Sequence, residues 1–407
     1  AMESRGLGDV YKRQEFKERK EFVSNAFLSH FGKLPTVWVR APGRVDLMGS
    51  HTDYNEGFVL TLSINRDTWI AARPREDSGA HIHSLNNRQS CKFDLREILS
   101  SGSQDWELYV KGVAYVLQQE GYRFSGFDAI IHGTVPISSG LSSSASLECA
   151  TAMLLEQLGS FEVERVRLAK LCQRAENEVA GVNCGILDQY SSLMGQKDNA
   201  IVLDCRHLTH EVAHFPGGLR VVICNTCAPR KLSGSEYGER RAACESGAQL
   251  LSQYNSNIRF LRDVSIEFYN EHESLLPGDI AKRCRFVIEE NERVLEMAKA
   301  LSQDNCERIS ELCTASFEGA RDLYEISVSQ MEEMMTAMIS SPGIVGARQA
   351  GAGFGGCMVA VVESEMVEAF SESVARDYRR QTGIIPEIYP VEIAEGAGIL
   401  VPKETAK

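Results

Sequence analysis

Basic charge is in short supply in this chain. Its 43 lysines and arginines face 56 aspartates and glutamates, a formal net charge of −13. A binder of nucleic-acid backbone needs a basic face, so nucleic acid is not an expected partner. No apolar run approaches the roughly 18 residues of a membrane span, and no signal-peptide pattern opens the chain. No Gly-Lys-Ser/Thr occurs, so a Walker-type phosphate loop is absent. The 12 cysteines are scattered. One C-x-x-C, Cys224 to Cys227, has no second pair or nearby histidines to make a zinc site. Thiols without a disulfide framework fit a reducing compartment, so a cytoplasmic location is expected. An acidic protein can still bind ATP, through backbone amides, a few local cations and magnesium. At 407 residues, 43% hydrophobic and 24% charged, the chain has the composition of a globular enzyme and exceeds the size at which one core stops growing. Two domains are expected.

Residues 1–14 are polar and read as a vector-derived or disordered lead. Apolar periodicity then predicts a helix over 15–31. Strands are expected at 37–41, 58–64, 68–72, 81–85 and 91–95, with His81 and His83 facing solvent from one strand. A helix follows at 106–120, capped by Ser103 or Asp105, then a buried strand at 127–132. A small-residue loop covers 133–146, helices cover 147–158 and 161–180, and a further loop covers 181–194. The texture turns polar at 208–218, closed by Pro216-Gly217-Gly218. This divides the chain into domains 15–212 and 213–407. The second half predicts a strand at 219–225, helices at 236–254, 280–301 and 306–339, a strand at 357–362 and a helix at 366–381.

Three segments carry residue types suited to chemistry. Residues 40–57 read R-A-P-G-R-V-D-L-M-G-S-H-T-D-Y-N-E-G, a polar cluster expected on a loop between buried strands, where binding groups collect. Residues 140–146, G-L-S-S-S-A-S, precede a helix. Free N–H groups and the positive dipole end make a helix N-terminus a phosphate site, and small side chains let phosphate approach. Residues 351–356, G-A-G-F-G-G, match G-x-G-x-x-G, yet a dinucleotide fingerprint follows a strand and opens a helix. Here the glycines precede a strand, so a loop closing over a ligand is the better reading. Asp188, in C-G-I-L-D-Q, stands alone as either a helix cap or a catalytic acid.

In this order and spacing these segments resemble the GHMP small-molecule kinases, and among them the galactokinases. The resembling motifs are Gly43-Arg44 through Gly49-x-His51-Thr52-Asp53-Tyr54-Asn55, then Pro136 with Gly140-Leu141-Ser142-Ser143-Ser144-Ala145-Ser146, and Gly351-Ala352-Gly353-Phe354-Gly355-Gly356. Cys184-Gly185-Ile186-Leu187-Asp188-Gln189 and Ser235-Glu236-Tyr237 extend the likeness. The resemblance implies an α+β fold of two domains, the first ribosomal-protein-like and the second ferredoxin-like, with the active site between them. It implies Asp188 as the acid facing the sugar's anomeric hydroxyl, with Arg44 beside it. Ser50, His51, Asp53, Gly185 and Tyr237 are implied as sugar contacts. Pro136, Gly140, Leu141, Ser142, Ser143, Ser144 and Ala145 would hold ATP, Gly351, Gly353, Gly355 and Gly356 would form the glycine loop, and Ser144 and Glu176 would bind magnesium.

The implied activity is ATP-dependent phosphorylation of a galactose-configured sugar at its anomeric oxygen, by a monomer or weak homo-oligomer. Two positions depart from the galactokinase pattern: Ser50 stands where those proteins usually carry Glu, and Asp46 where they carry Asn. That Glu normally contacts the hydroxyl at sugar C6. An L-arabinokinase or a galacturonate-type kinase of the same family is therefore an alternative, as is a catalytically silent sugar and ATP sensor. The His51-Thr52-Asp53-Tyr54 run argues against mevalonate- or homoserine-kinase branches.

Overall fold

The structure, a computed structural model, describes residues 2–99, 106–136, 140–182, 184–228 and 234–400. The expected caps Ser103 and Asp105, the 137–139 portion of the serine-rich loop and Asn183 lie outside them. In chain order the elements begin with α1 (Met2–Phe31), β1 (Val37–Met48), β2 (Phe58–Pro74), β3 (Gly79–Ser84), β4 (Gln89–Asp94), α2 (Glu107–Gln119) and β5 (Phe127–Gly133). Next come α3 (Ser143–Gly159), α4 (Arg165–Ala175), a π-helical turn (Glu176–Ala180), α5 (Leu187–Met194), β6 (Asn199–Asp204) and β7 (Thr209–His214). The second half holds β8 (Leu219–Asn225), α6 (Gly234–Ser252), α7 (Ile266–His272), α8 (Gly278–Ser302), α9 (Cys306–Asp322) and α10 (Ser329–Ile339). It ends with β9 (Ile344–Gln349), β10 (Cys357–Glu363), α11 (Val367–Thr382), β11 (Glu387–Val391) and β12 (Gly398–Ile399).

Two sheets organise these elements. The first runs β12-β1-β2-β5-β3-β4, with β6 paired to the start of β2 and β7 to β6. Its pairings are antiparallel except β3 with β5. The second is an antiparallel β11-β8-β10-β9 sheet. An apolar core spans both: Val45, Leu47, Leu60 and Leu62 of the first sheet pack with Val221, Ile223, Val359 and Val361 of the second and with Val294 and Leu301 of α8. Nearly every residue of β1 is buried, as in strands covered on both faces.

Several sequence expectations are corrected. The helix expected from residue 15 extends back to Met2, through the residues read as a disordered lead. Strand β1 continues to Met48, so only 49–57 connect it to β2, and β2 unites two expected strands. Its polar break at 65–67 is met by tertiary partners. Asn65 exchanges hydrogen bonds with Glu392 at 2.9 and 3.0 Å, and Asp67 accepts from Arg19 and Arg40. The polar stretch at 208–218 contains β7, so the division at 212 falls inside a strand of the first sheet. The C-terminal segment returns to that sheet as β12. The long helix expected over 306–339 breaks between α9 and α10 without glycine or proline. Arg240 donates to the Tyr324 carbonyl, Arg283 to that of Leu323, and Phe354 N–H to that of Ile326, taking over acceptors a continuing helix would use.

The connection after β1 is held from behind by buried charge. Arg348 on β9 and Glu290 on α8 are both fully buried and 3.1 Å apart. Arg348 also donates to Ser50 Oγ at 2.8 Å and Ser316 Oγ at 2.9 Å. Glu290 accepts from Gly49 N–H at 3.0 Å and pairs with Arg293 at 2.8 Å. Breaking one side of such a pair leaves a buried charge without its partner, at a cost of about 3–5 kcal/mol. Arg348→Met should lose on that order of stability in urea titration; an unchanged midpoint would contradict the role given to this pair.

Candidate active site

The end of β1 delivers Arg44 into the interior. A register shift between Pro42 and Arg44 reorients the strand there, and bulges of this kind re-aim side chains. Gly43 lies against the serine-rich loop: a Cβ on it would stand 2.6 Å from the Leu141 carbonyl oxygen. Arg44 N–H donates to that oxygen at 3.2 Å. The Arg44 guanidinium then reaches two places. Nη1 donates to the Gly140 carbonyl at 2.6 Å, while Nε and Nη2 donate to Asp188 Oδ1 at 3.0 and 2.6 Å. Asp188 lies in the first turn of α5 rather than on the loop expected there. Burial opposes the Arg44 charge, but Asp188 and Asp46 outweigh it and raise its pKa.

A cavity of about 240 Å³ lies beside this pair, lined by Asp53, Tyr54, Gln173, Cys184, Gly185 and Tyr237 among others. Three of the expected sugar contacts thus meet: Asp53, Gly185 and Tyr237. A side chain at 185 would put its Cβ 2.7 Å from Asp53 Oδ2, so glycine is what admits the carboxylate. Burial, with Asp188 adding to it, raises the Asp53 pKa. Ser50 and His51 do not line this cavity. Ser50 Oγ is held by Arg348, as described. His51 has φ of 65° and uses both ring nitrogens, Nδ1 with Tyr54 Oη at 2.8 Å and Nε2 with the Ala352 carbonyl at 2.9 Å. Burial, helped by Arg240 and Arg348, lowers its pKa to about 4. The ring is therefore neutral at pH 7, with Nε2–H donating to Ala352 and Nδ1 accepting from Tyr54. This contact docks the 351–356 glycine loop, with Gly351, Gly353, Gly355 and Gly356 all at positive φ, onto the first half of the chain.

A larger cavity, about 640 Å³, borders the start of α3. Ser143 and Ser144 line it with Thr68, Asn86, Asn87, Gln89, Trp106 and Tyr109. Helix α3 starts four residues before the expected helix and takes in Ser143–Ser146. Its N-terminus has no side-chain cap, and Ser142, at φ of 60°, leaves its buried Oγ without a hydrogen bond. Pro136, Gly140, Leu141 and Ala145 flank this turn, Leu141 and Ala145 being buried. Glu176 opens the π turn, a device frequent at functional sites, and is buried. Burial raises its pKa, while Cys184, Ser144 and Gln189 donate hydrogen bonds to it. Sequence reasoning missed the amides and aromatics of this cavity. Trp106 counts toward the apolar face of a helix, and no spacing rule separates a ligand-facing ring from a core one.

The chain matches the galactokinase galactose-binding signature over residues 25–74, the GHMP kinases N terminal domain over 108–196 and the GHMP kinases C terminal domain over 297–380. It is 38% identical to the galactokinase of Chloroflexus aggregans over 374 residues, 92% of this chain and 95% of that one. The chain belongs to the galactokinase family of GHMP kinases. A crystal structure of Lactococcus lactis galactokinase complexed with galactose matches at TM-score 0.86 and 35% identity, covering 93% of this chain and 98% of that one. Methanococcus jannaschii mevalonate kinase, at 18% identity and TM-score 0.63 over 88% of this chain and 98% of that one, shares the fold. Membership of the galactokinase family makes the chain a phosphotransferase that uses ATP and a hydroxyl acceptor. No helix among the described residues is long and apolar enough to cross a membrane.

Against the usual galactokinase pattern, Asp46 adds a carboxylate to this site. It is buried, and its Oδ1 lies 3.1 Å from Arg44 Nε. That nitrogen hydrogen-bonds to Asp188 instead, leaving the Asp46 oxygen without a hydrogen bond. Burial, with Asp188 and Asp53 adding to it, raises the Asp46 pKa to about 6 against the pull of Arg44. A carboxyl raised on folding stabilises most below its unfolded pKa, and the contribution is lost as pH rises through the folded value. Asp46→Asn removes that loss, so its stability relative to the parent should grow by about 2 kcal/mol between about pH 4.5 and 7.5 in urea titrations. A pH-independent difference would contradict the environment described for Asp46.

Proposed function

We propose that this chain is an ATP-dependent galactose 1-kinase, transferring the γ-phosphoryl group to the anomeric oxygen of the sugar. The observation that carries the reading is the placement of Arg44. One guanidinium binds both Asp188, close in sequence to the Gly185 wall of the smaller cavity, and the Gly140 carbonyl of the serine-rich loop. A sugar in the smaller cavity and a nucleotide in the larger one would meet at this guanidinium. Trp106 and Tyr109 offer rings for stacking a base, and the uncapped start of α3 with Ser142 Oγ offers donors to phosphate. Asp53 supplies the acceptor that vicinal sugar hydroxyls need.

Asp188 orients the anomeric hydroxyl and takes its proton as the new O–P bond forms and ADP departs. Phosphoryl transfer is loose, so positioning and charge matter more than base strength. Arg44 offsets charge gathering on the transferring group. Ser144 and Glu176 would hold magnesium: a hydroxyl and a carboxylate suit a hard cation that keeps phosphate and water as its other ligands. When bound, the ion neutralises charge on the phosphate oxygens. Position 50 does not displace galactose from this reading. Ser50 Oγ is engaged by Arg348, away from the residues lining the smaller cavity, so the cavity wall is built without it. The intact serine-alanine turn and Asp188 favour turnover over a silent sensor, and we place the protein in the cytoplasm.

With Mg-ATP and a sugar panel, ADP release should be fastest with galactose and slower with L-arabinose. Asp188→Asn should lose about 10²–10⁴-fold in kcat while nucleotide affinity holds. Absence of turnover with every galactose-configured sugar would overturn the reading.

A further inference from the structure

The chemistry above gives no task to the side chain of Gln189. Gln189 follows Asp188 on α5 and is fully buried. Its Nε2 donates to Glu148 Oε2 at 2.9 Å and to Glu176 Oε2 at 2.6 Å. Glu148 is also fully buried, one turn along α3 from Ser144. One amide therefore joins α3, the π turn and α5, the three elements that carry Ser144, Glu176 and Asp188.

The arrangement is costly unless it has a purpose. Two buried acids converge on one amide nitrogen, Gln189 Nε2. Glu148 Oε1 and Gln189 Oε1 remain without hydrogen bonds. Buried polar groups left unsatisfied cost free energy, so a core built for stability alone would be better served by apolar residues here. What the arrangement secures is orientation. Cys184 Sγ, at 3.1 Å, and Gln189 both act on Oε2 of Glu176, and neither uses Oε1. Carboxylates that bind cations are commonly aimed by hydrogen bonds from behind.

We propose that Gln189 is a positioning residue for the divalent cation: anchored on Glu148, it fixes the Glu176 carboxylate for magnesium and ties that carboxylate to Asp188, its neighbour in the chain. Glu148 is the anchor, not a ligand. The proposal rests on the sugar-kinase reading and extends it to a side chain that touches neither the sugar nor the phosphate.

The test uses the full-length protein with a non-hydrolysable ATP analogue and Mn2+ as the probe, bound Mn2+ being read by electron paramagnetic resonance. Gln189→Met keeps the length and removes the donor; it should weaken Mn2+ in the ternary complex by about 10-fold. Galactose affinity without nucleotide, read from melting shifts, should stay within about twofold, since the carboxylate aimed by Gln189 acts on the cation. Glu148→Gln keeps an acceptor for the amide and should retain Mn2+ affinity, whereas Glu148→Met should lose it as Gln189→Met does. If Gln189→Met does not fold, the Glu148 pair decides. Unchanged Mn2+ affinity in Gln189→Met or Glu148→Met overturns the proposal. So does an equal loss in Glu148→Gln, which would make Glu148 a ligand acting by charge, and so does a parallel loss of galactose affinity. The kinase reading fails separately, if the parent binds Mn2+ yet forms no ADP with any sugar.

Discussion

A single buried guanidinium holds the active region together. Arg44 can stay charged in the interior because Asp188 and the Gly140 carbonyl receive its N–H groups, and a buried charge without such partners would not be tolerated. The dependence runs in both directions. Gly43 has to be a glycine for the strand to lie on Leu141, and two carbonyls of the serine-rich turn, those of Leu141 and Gly140, accept from the backbone N–H and the guanidinium of Arg44. The strand, the phosphate-type turn and the first turn of α5 are thus one electrostatic unit.

Around that unit the negative charge is in excess. Asp46, Asp53 and Asp188 all act on Arg44, with Arg348 acting on Asp46 and Arg241, which lines the smaller cavity, acting on Asp53. The protein places a second guanidinium, Arg348, behind the 49–57 connection and commits it to Glu290 and Ser50. Together the two arginines join β1 to elements of both halves, which also share an apolar core. Rigid support of this kind keeps the geometry of reacting groups within the tolerance that catalysis needs.

Much of this was legible in the sequence. The Arg44 and His51–Asn55 segment, the small-residue turn and the late glycine run stood out by composition, and their order gave the family. Strand β8 and helix α8 followed from periodicity. Asp188 did not stand out on its own; only the resemblance distinguished it from a helix cap. The rest was hidden because tertiary partners decided it. Strand β2 passes through Asn65–Asp67 because distant groups satisfy those side chains. The α9–α10 break follows from arginines of α6 and α8 capping carbonyls. His51 reads as a substrate ligand by motif, yet its ring is consumed by Tyr54 and Ala352. Gln189 looks like any helical glutamine until Glu148 and Glu176 converge on it.

The central claim is that Arg44 and Asp188 direct phosphate to one oxygen of a galactose-configured sugar. The most direct measurement is phosphorus NMR of the product formed from galactose and Mg-ATP, with coupling to the sugar protons assigning the linkage. The account predicts ADP and a single sugar phosphate whose phosphorus couples to the anomeric proton. Phosphate on any other oxygen, or ADP formed without a sugar phosphate, would contradict it.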